Sequence, residues 1–169
     1  MRSAVSRAEL IRGRMTPESE VIRPPYSHSE HDFREHCERC DNCRKACPTD
    51  VIGCDAAGFP MLLFGNAACT FCKACAEACP TGALSLDQAD AWHVTAHIKG
   101  TCLSFNGITC RACDESCEAG AIRFRLMTQG RALPLVDETR CTGCGACAVI
   151  CPNTSIDMRQ QAPKEEVVA

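Results

Sequence analysis

The feature that most constrains this chain is a cysteine motif, C-x2-C-x2-C-x3-C-P, which occurs three times. The complete copies are Cys37–Pro48, Cys69–Pro80 and Cys141–Pro152. A fourth copy, ending at Cys117, has Gly107 where its first cysteine belongs, and Cys102 lies upstream of that glycine. The fourth cysteines of the copies recur at similar intervals, at Cys47, Cys79, Cys117 and Cys151. Such repetition predicts one structural unit copied four times.

The spacing of the motif fits an iron–sulfur cluster. A 4Fe-4S cluster takes four cysteine thiolates. In two-cluster ferredoxins the first three cysteines of a motif bind one cluster and the fourth binds the other. The residues between the cysteines of the last copy are small, and Gly143 and Gly145 let the backbone approach such a cluster closely. Backbone N–H groups that face the cluster then stabilise its negative charge.

The exchange of fourth cysteines divides sixteen cysteines among four predicted cluster sites, two in each half of the chain. Site 1 takes Cys37, Cys40, Cys43 and Cys79; site 2 takes Cys47, Cys69, Cys72 and Cys75; site 3 takes Cys102, Cys110, Cys113 and Cys151; site 4 takes Cys117, Cys141, Cys144 and Cys147. Site 3 has an alternative, in which Cys102 is an ordinary buried thiol and the site holds a three-iron or labile cluster, or none. A longer loop costs little closure entropy, so the insertion permits ligation by Cys102. The remaining cysteine, Cys54, is expected to be a small buried residue.

Disulfides and zinc are the other common uses of so many cysteines. The count of 17 is odd, and the stretch from Met1 to Pro25 contains no apolar run of seven that would indicate a secretory signal. We therefore expect a cytoplasmic chain with reduced thiols. Structural zinc sites usually take two cysteine pairs separated by a dozen or more residues, unlike three cysteines within seven. Aromatic residues make up only 5% of the chain, so we expect clusters to form much of its core.

Charge, hydropathy and motif content argue against several classes of function. The formal net charge is −3, and no block of basic residues indicates a nucleic-acid partner. The chain has no run of about 18 apolar residues, so we expect no membrane insertion. Paired carboxylates, a phosphate-binding loop and a Ser–His–Asp order are all missing from the sequence. We therefore expect an electron carrier or a cluster-bearing accessory protein, not an enzyme.

The paired motifs resemble those of bacterial-type dicluster ferredoxins. That resemblance implies an α+β fold of two tandem β-α-β-β-α-β domains, with the clusters forming the core. The whole chain is similar to the ferredoxin-type NapF proteins, which are associated with periplasmic nitrate reductase. The likeness includes SRAELIRGR and RPPY near the N-terminus and CLSFNGITCRACDESCEAGAI with its displaced first cysteine. It implies a cytoplasmic protein whose partner is the precursor of NapA, the molybdenum-containing catalytic subunit, and which assists NapA maturation before export.

The repeat and the resemblance together divide the chain. We predict an N-terminal segment at 1–31, ferredoxin domains at 32–90 and 91–158, and a polar tail at 159–169. The N-terminal segment is expected to be either a solvated tail on the first domain or a docking segment. The stretch Leu86–His97 is polar and compatible with a helical connector, with Trp92 at the domain junction. The stretch GRALPLVDETR, before the last motif, is expected to form a strand.

Three functions are compatible with this interpretation. The first is the NapF-like accessory role, by electron transfer or by cluster or cofactor assembly. The second is an electron-transfer subunit of a respiratory oxidoreductase complex, in which two pairs of clusters would form a chain. The third is a purely structural role for the clusters. It explains two clusters per domain poorly, because one would suffice to stabilise so small a fold.

Overall fold

The computed structural model describes residues 21–128 and 132–161. Within them the helices are α1 (Glu30–His36), α2 (Asn42–Lys45), α3 (Ala74–Glu77), α4 (Ala112–Glu115) and α5 (Ala146–Ile150). The strands are β1 (Ile52–Cys54), β2 (Pro60–Leu62), β3 (Val94–Ile98), β4 (Ile122–Leu126), β5 (Ala132–Val136) and β6 (Ile156–Gln160). A 3-10 segment, Leu86–Ala91, connects the two halves. None of the described helices has the length and apolar character needed to cross a membrane.

The first half is built around the short antiparallel hairpin of β1 and β2, in which Ile52 lies opposite Leu62. The turn of the hairpin is fixed by the Asp55 carboxylate, which accepts hydrogen bonds from the N–H groups of Ala57 and Phe59, both at 2.9 Å. The outer strands expected of a ferredoxin domain are reduced here to a single bridge between Ser27 and Leu84. The first half is therefore held together more by its loops than by a sheet.

The second half has the element order β3-α4-β4-β5-α5-β6. Strands β3 and β6 pair along their whole length, from Val94 opposite Gln160 to Ile98 opposite Ile156. Strands β4 and β5 form the second antiparallel pair. The expected helical connector Leu86–His97 is wrong in its second part, because Val94–Ile98 is strand β3. The expected strand before the last motif is present as β5.

The apolar core is thin and continuous across both halves. Its fully buried side chains include Val51 in the first half and Val94 and Ile122 in the second. One apolar cluster joins these residues to cysteines of both halves. A second cluster, around Phe33 and Leu84, lies within the first half. Aliphatic side chains make up most of the first cluster, and the aromatic rings of Tyr26 and Phe33 lie in the second.

Trp92 lies at the junction of the halves. Its indole Nε1 donates a hydrogen bond of 2.8 Å to the carbonyl of Thr142 in the second half. Its ring meets the edge of Phe71, a residue of the first half, with the ring centroids 5.9 Å apart. The expectation that Trp92 packs at the domain junction is confirmed.

The segment that precedes α1 is buried, contrary to the expectation of a solvated tail. Residues 22–26 are all buried against the first half. The Arg23 guanidinium, with only 7% of its side chain exposed, forms two hydrogen bonds of 2.8 Å to the Glu30 carboxylate. It also lies 2.9 Å from the Asp55 carboxylate and donates to the carbonyl of Pro60 at 3.0 Å. Residues 1–20, including SRAELIRGR, and the tail from 162 onward lie outside the described residues.

Candidate iron–sulfur centres

Three of the four predicted cysteine sets line cavities of the described structure. Cys37, Cys40, Cys43 and Cys79 line the cavity at site 1. Cys47, Cys69, Cys72 and Cys75 line the cavity at site 2. Cys102, Cys110, Cys113 and Cys151 line the cavity at site 3. The fold thus brings together the first three cysteines of one motif with the fourth cysteine of its partner motif, as the spacing predicts.

The fourth set is also brought together, around Cys147. Burial raises the pKa of the Cys147 thiol to about 12, and the neighbouring sulfurs of Cys141 and Cys144 add to this effect. The sulfurs of Cys113 and Cys117 act in the same direction with smaller contributions. Site 4 therefore gathers its four predicted cysteines, and it adjoins site 3 through Cys113.

The third cysteine of each motif lies deepest. Each sits on a short helix, and helices α2 and α3 pack together in the first half as α4 and α5 do in the second. Burial raises the pKa of these thiols to about 11 at Cys43 and Cys113 and to about 12 at Cys75 and Cys147. Without a metal these groups are neutral thiols, so loading a cluster must release their protons.

The fourth cysteine of each motif receives hydrogen bonds from the chain that follows it. The Cys79 sulfur accepts from Leu84 N–H at 3.5 Å, and the Cys117 sulfur accepts from Ala121 N–H at 3.3 Å. The Cys151 sulfur accepts from Ser155 N–H at 3.2 Å. Such donors stabilise thiolate charge and tune the potential of a bound cluster.

Two threonines extend this pattern in the first half only. Thr49 Oγ1 lies 3.6 Å from the Cys47 sulfur, and Thr81 Oγ1 lies 3.7 Å from the Cys79 sulfur. Although burial raises the pKa of each thiol, these hydroxyls and the backbone N–H groups outweigh it and lower the pKa below its ordinary value. Sequence reasoning missed both threonines, although Cys-Pro-Thr occurs twice in the chain.

The loops between the cysteines use left-handed backbone. The residues with positive φ are Arg39 and Asp41 in the first copy, Phe71 and Lys73 in the second, and Gly143 and Gly145 in the last. Glycine is required in the last copy because the loop is pressed against other parts of the chain. A Cβ at Gly145 would lie 2.8 Å from Phe64 Cε1, and one at Gly143 would lie 2.8 Å from Trp92 Nε1. Gly145 thus serves the close approach of the two halves, and Gly143 serves the packing of the loop on Trp92, in addition to the predicted approach to a cluster.

The inserted loop of the third copy folds back so that Cys102 reaches site 3. Asn106 Nδ2 donates to the carbonyls of Cys102 and Gly100, at 2.8 and 3.1 Å. The buried Ser104 hydroxyl donates to the carbonyl of Cys110 at 2.8 Å, which ties the two ends of the loop together. Asn153, from the tail of the last motif, donates to the carbonyl of Thr101 at 2.7 Å. These polar contacts, which the sequence did not reveal, hold Cys102 beside Cys110.

The cysteine sets can be compared with the geometry of a single zinc ion. Four thiolates around zinc, with Zn–S near 2.3 Å, place the sulfurs about 3.8 Å apart. Among the described residues, which include all 17 cysteines, no three cysteine sulfurs lie within 4.8 Å of one another. All these cysteines are free thiols in the described structure. The N–H donors at the fourth cysteines suit a charged 4Fe-4S group.

Cys54 differs from the expectation. It is exposed at the end of β1, outside the three cysteine-lined cavities, and its sulfur lies 3.8 Å from Asp41 Oδ1. The prediction of a small buried residue is wrong, because the short strand β1 has only its Ile52 end in the core and turns outward at Cys54.

Comparison with protein families finds one match in each half of the chain. Two family models, each described as a 4Fe-4S dicluster domain, match residues 35–84 and 108–155. The chain therefore carries several 4Fe-4S clusters, about four, in two tandem dicluster ferredoxin domains. The second match begins after Cys102, which the structure nevertheless places at site 3.

Curated relatives match over nearly the full length. The chain is 40% identical to the ferredoxin-type protein NapF of Escherichia coli K12, over 92% of this chain and 95% of the relative. It is 39% identical to NapF of Haemophilus influenzae, over 85% and 82%. The methylamine utilization ferredoxin-type protein MauM of Methylobacillus flagellatus is 35% identical, over 84% of this chain and 68% of the relative. With its four cysteine sets and this full-length likeness, the chain belongs to the NapF family of ferredoxin-type proteins.

Proposed function

We propose that this protein is a cytoplasmic iron–sulfur accessory protein of periplasmic nitrate reductase. It binds the precursor of a NapA-like molybdoenzyme before export and assists its maturation, by electron transfer or by cluster or cofactor assembly. The observation that carries the proposal is the full-length likeness to NapF proteins, together with the placing of the displaced Cys102 beside Cys110. A generic dicluster ferredoxin has no need of the inserted loop.

The proposal assigns the cluster ligands as the sequence predicts. Each of sites 1 to 4 takes its four cysteines. At site 3 this means that Cys102 is a ligand and that the site holds a complete 4Fe-4S cluster, not a three-iron or labile one. Clusters bound there would supply one-electron transfer. The chain itself contributes the thiolates, the N–H and hydroxyl donors at the fourth cysteines, and the short helices that carry the third cysteines.

The proposal also holds that the chain is not an enzyme. Sixteen cysteines are committed to the four sites, so they are not free to act as nucleophiles. The cavities at sites 1 to 3 are lined by cysteines and mainly by apolar or small side chains. A role in maturation needs a docking partner and a redox group but no substrate pocket.

The test is capture of the partner from cytoplasm. The tagged protein, purified anaerobically with its iron, is incubated with cytoplasmic extract that contains the molybdoenzyme precursor with its leader, and with periplasmic extract that contains the mature enzyme. Selective enrichment of the precursor is expected. Recovery of the protein itself in the periplasm, or no enrichment of the precursor, would contradict the accessory role.

A second candidate is an electron-transfer subunit of a respiratory oxidoreductase complex. The observation that favours it is the likeness to MauM, whose name places the same type of chain in methylamine utilization. This function predicts stable copurification with the mature reductase and rapid re-oxidation of the reduced clusters during turnover. The accessory role predicts neither of these.

A further inference from the structure

The arrangement of the four sites follows from contacts that the cysteine motifs alone do not reveal. We infer that the sites form one row in the order 1, 2, 4, 3, with the halves joined between sites 2 and 4. This inference rests on the ligand sets proposed above. It adds the order of the sites, which the spacing of the motifs leaves open, because either site of one half could face either site of the other.

Within each half the two sites are neighbours because one motif serves both. Cys43 lines site 1, and Cys47, one helical turn further along the chain, lines site 2. Cys113 lines site 3, and Cys117, at the same spacing, belongs to site 4. The helix that carries the third cysteine packs on its counterpart from the partner motif in both halves. Sites 1 and 2 therefore adjoin, as do sites 3 and 4.

The junction between the halves runs through cysteines of sites 2 and 4. The backbone N–H of Cys69 donates a hydrogen bond of 2.8 Å to the carbonyl of Cys144. In the described part of the chain this is the one backbone hydrogen bond that joins the two halves. A predicted ligand of site 2 is thus bonded, through its main chain, to a predicted ligand of site 4.

Side chains of both halves pack around that hydrogen bond between sites 2 and 4. Gly145, the residue after Cys144, has no space for a Cβ because Phe64 of the first half lies against it. Trp92 closes the same junction from the side, between Phe71 and the carbonyl of Thr142. The lack of a side chain at Gly145 is what allows the loop of site 4 to reach Phe64 of the first half.

Sites 1 and 3 lie at the ends of the row. The residues that line site 1 all fall between Phe33 and Leu84, in the first half. Those that line site 3 all fall between Ile98 and Ile156, in the second half. Site 1 therefore has its neighbour in site 2, and site 3 has its neighbour in site 4. This makes sites 1 and 3 the two outer members.

The order can be tested by magnetic interaction between reduced clusters, measured by EPR on the full chain purified anaerobically. A Cys37→Ala substitution removes site 1, so that site 2 is the one cluster of the first half. Adding Cys141→Ala removes site 4, and adding Cys110→Ala instead removes site 3. The relaxation of the site 2 signal reports its nearest partner, because magnetic interaction falls steeply with distance.

The row predicts different results for the two double variants. Loss of site 4 should abolish most of the relaxation enhancement of the site 2 signal, and loss of site 3 should leave most of it. Equal effects, or a larger effect from loss of site 3, would overturn the order. Iron content separates the inference from its premise, since each substitution should remove about four iron atoms per chain. Iron that does not fall would overturn the ligand sets, and the row with them.

A second measurement tests the junction itself. Gly145→Ala places a methyl group against Phe64, whereas Gly107→Ala adds one at a similar positive φ with no atom within 4 Å. Phe64→Ala opens the same contact from the first half, away from the ligands. The two junction variants should weaken the interaction between sites 2 and 4 with iron content retained, and Gly107→Ala should not. An unchanged interaction in Phe64→Ala and Gly145→Ala would overturn the assignment of this contact.

Discussion

The two halves hold the same arrangement of cysteines with different structures. The second half closes its ends with the pairing of β3 and β6 along their whole length. In the first half that pairing is a single bridge, and the segment at residues 22–26 covers the core instead. A packed segment can therefore replace the outer strand pair of such a domain. The reason is that the centre of each domain is formed by sulfur sites and short helices.

The closure of the first half depends on one buried cation. The Arg23 guanidinium lies over the Phe33 ring at 5.2 Å and near the Phe59 ring at 5.7 Å, in addition to its carboxylate partners. A buried guanidinium is tolerated only when its donors are satisfied and its charge is paired. Among the described residues of the second half no equivalent buried arginine occurs. The halves should therefore respond differently to the same kinds of change.

The largest expected effect comes from removing one ligand in either half. Cys40→Ala in the first half or Cys144→Ala in the second should lose about four iron atoms per chain. The affected half should keep its second cluster but melt at a lower temperature, because metal-binding energy is folding energy in a domain with so little core. Iron and sulfide analysis with circular dichroism, both under anaerobic conditions, measures the two effects.

The matched control for this change is Cys54→Ala, which alters a cysteine outside the cysteine-lined cavities. It should keep full iron content and an unchanged melting transition. If Cys40→Ala kept its iron, or Cys54→Ala lost iron, the assignment of ligands in the first half would be wrong. A loss of structure in both halves from Cys40→Ala alone would show that the stability of the second half depends on the clusters of the first.

The next largest effect tests whether the buried Arg23 stabilises the first half. Arg23→Met should destabilise the first half by about 3–5 kcal/mol, since it leaves the mostly buried Asp55 carboxylate without its cation. Arg34→Met is the control: Arg34 is half-exposed, so its ion pair with Glu30 contributes about 0–1 kcal/mol. Denaturant midpoints for cluster loss, followed by absorbance, measure both. Similar midpoints for the two variants would show that burial of Arg23 is not what stabilises the first half.

Acid should weaken the first half through Asp55. Burial raises the pKa of the Asp55 carboxyl, but hydrogen bonds from Phe59 N–H and the Arg23 guanidinium outweigh it and hold the pKa below its ordinary value. Because the folded pKa is depressed, the carboxylate stabilises the fold fully above about pH 4 and loses this contribution as pH falls through the folded pKa.

Asp55→Asn tests this dependence. At pH 7 the variant should be about 1–3 kcal/mol less stable than the parent, the cost of weakening charged hydrogen bonds in a buried place. The difference should shrink as the pH falls below about 4, where the parent carboxylate also becomes neutral. Denaturant unfolding at a series of pH values measures it. A difference that stays constant down to pH 3 would show that another group carries the acid dependence.

The cysteine sets could be predicted from the sequence because their spacing reflects a local constraint. A chain that must present three thiolates to one cluster within so short a stretch has few alternatives, and the copies repeat it. The loop before Cys110 was harder to interpret, since nothing local shows that Asn106 and Ser104 fold it back. Cys54 was misjudged because the burial of so short a strand cannot be inferred from one apolar neighbour.

The features that could not be predicted from the sequence depend on distant partners. Strand β3 pairs with β6, which follows the last cysteine motif, so the stretch at Val94 resembled a polar connector when taken alone. The sequence gives no sign that Arg23 is buried, because its partner Asp55 lies beyond the whole first cysteine motif. The contact between Cys69 and Cys144 has no sequence signature beyond the glycine at 145, which a close approach to a cluster would equally explain.

The smallest effect concerns the left-handed positions of the motif loops. Lys73 has φ 68° where the last copy has Gly145, so Lys73→Gly should relieve about 1–2 kcal/mol of backbone strain. The greater freedom of glycine in the unfolded chain costs about 0.5–1 kcal/mol, which leaves a net gain of about 0–1.5 kcal/mol. Lys45→Gly, in helix α2, is the control and should only destabilise, because its backbone is already helical. Denaturant midpoints measure both variants. If Lys73→Gly destabilised the protein as much as Lys45→Gly, Lys73 would carry no net backbone strain. The motif loops of the two halves would then be equally stable despite having Lys73 in one and Gly145 in the other.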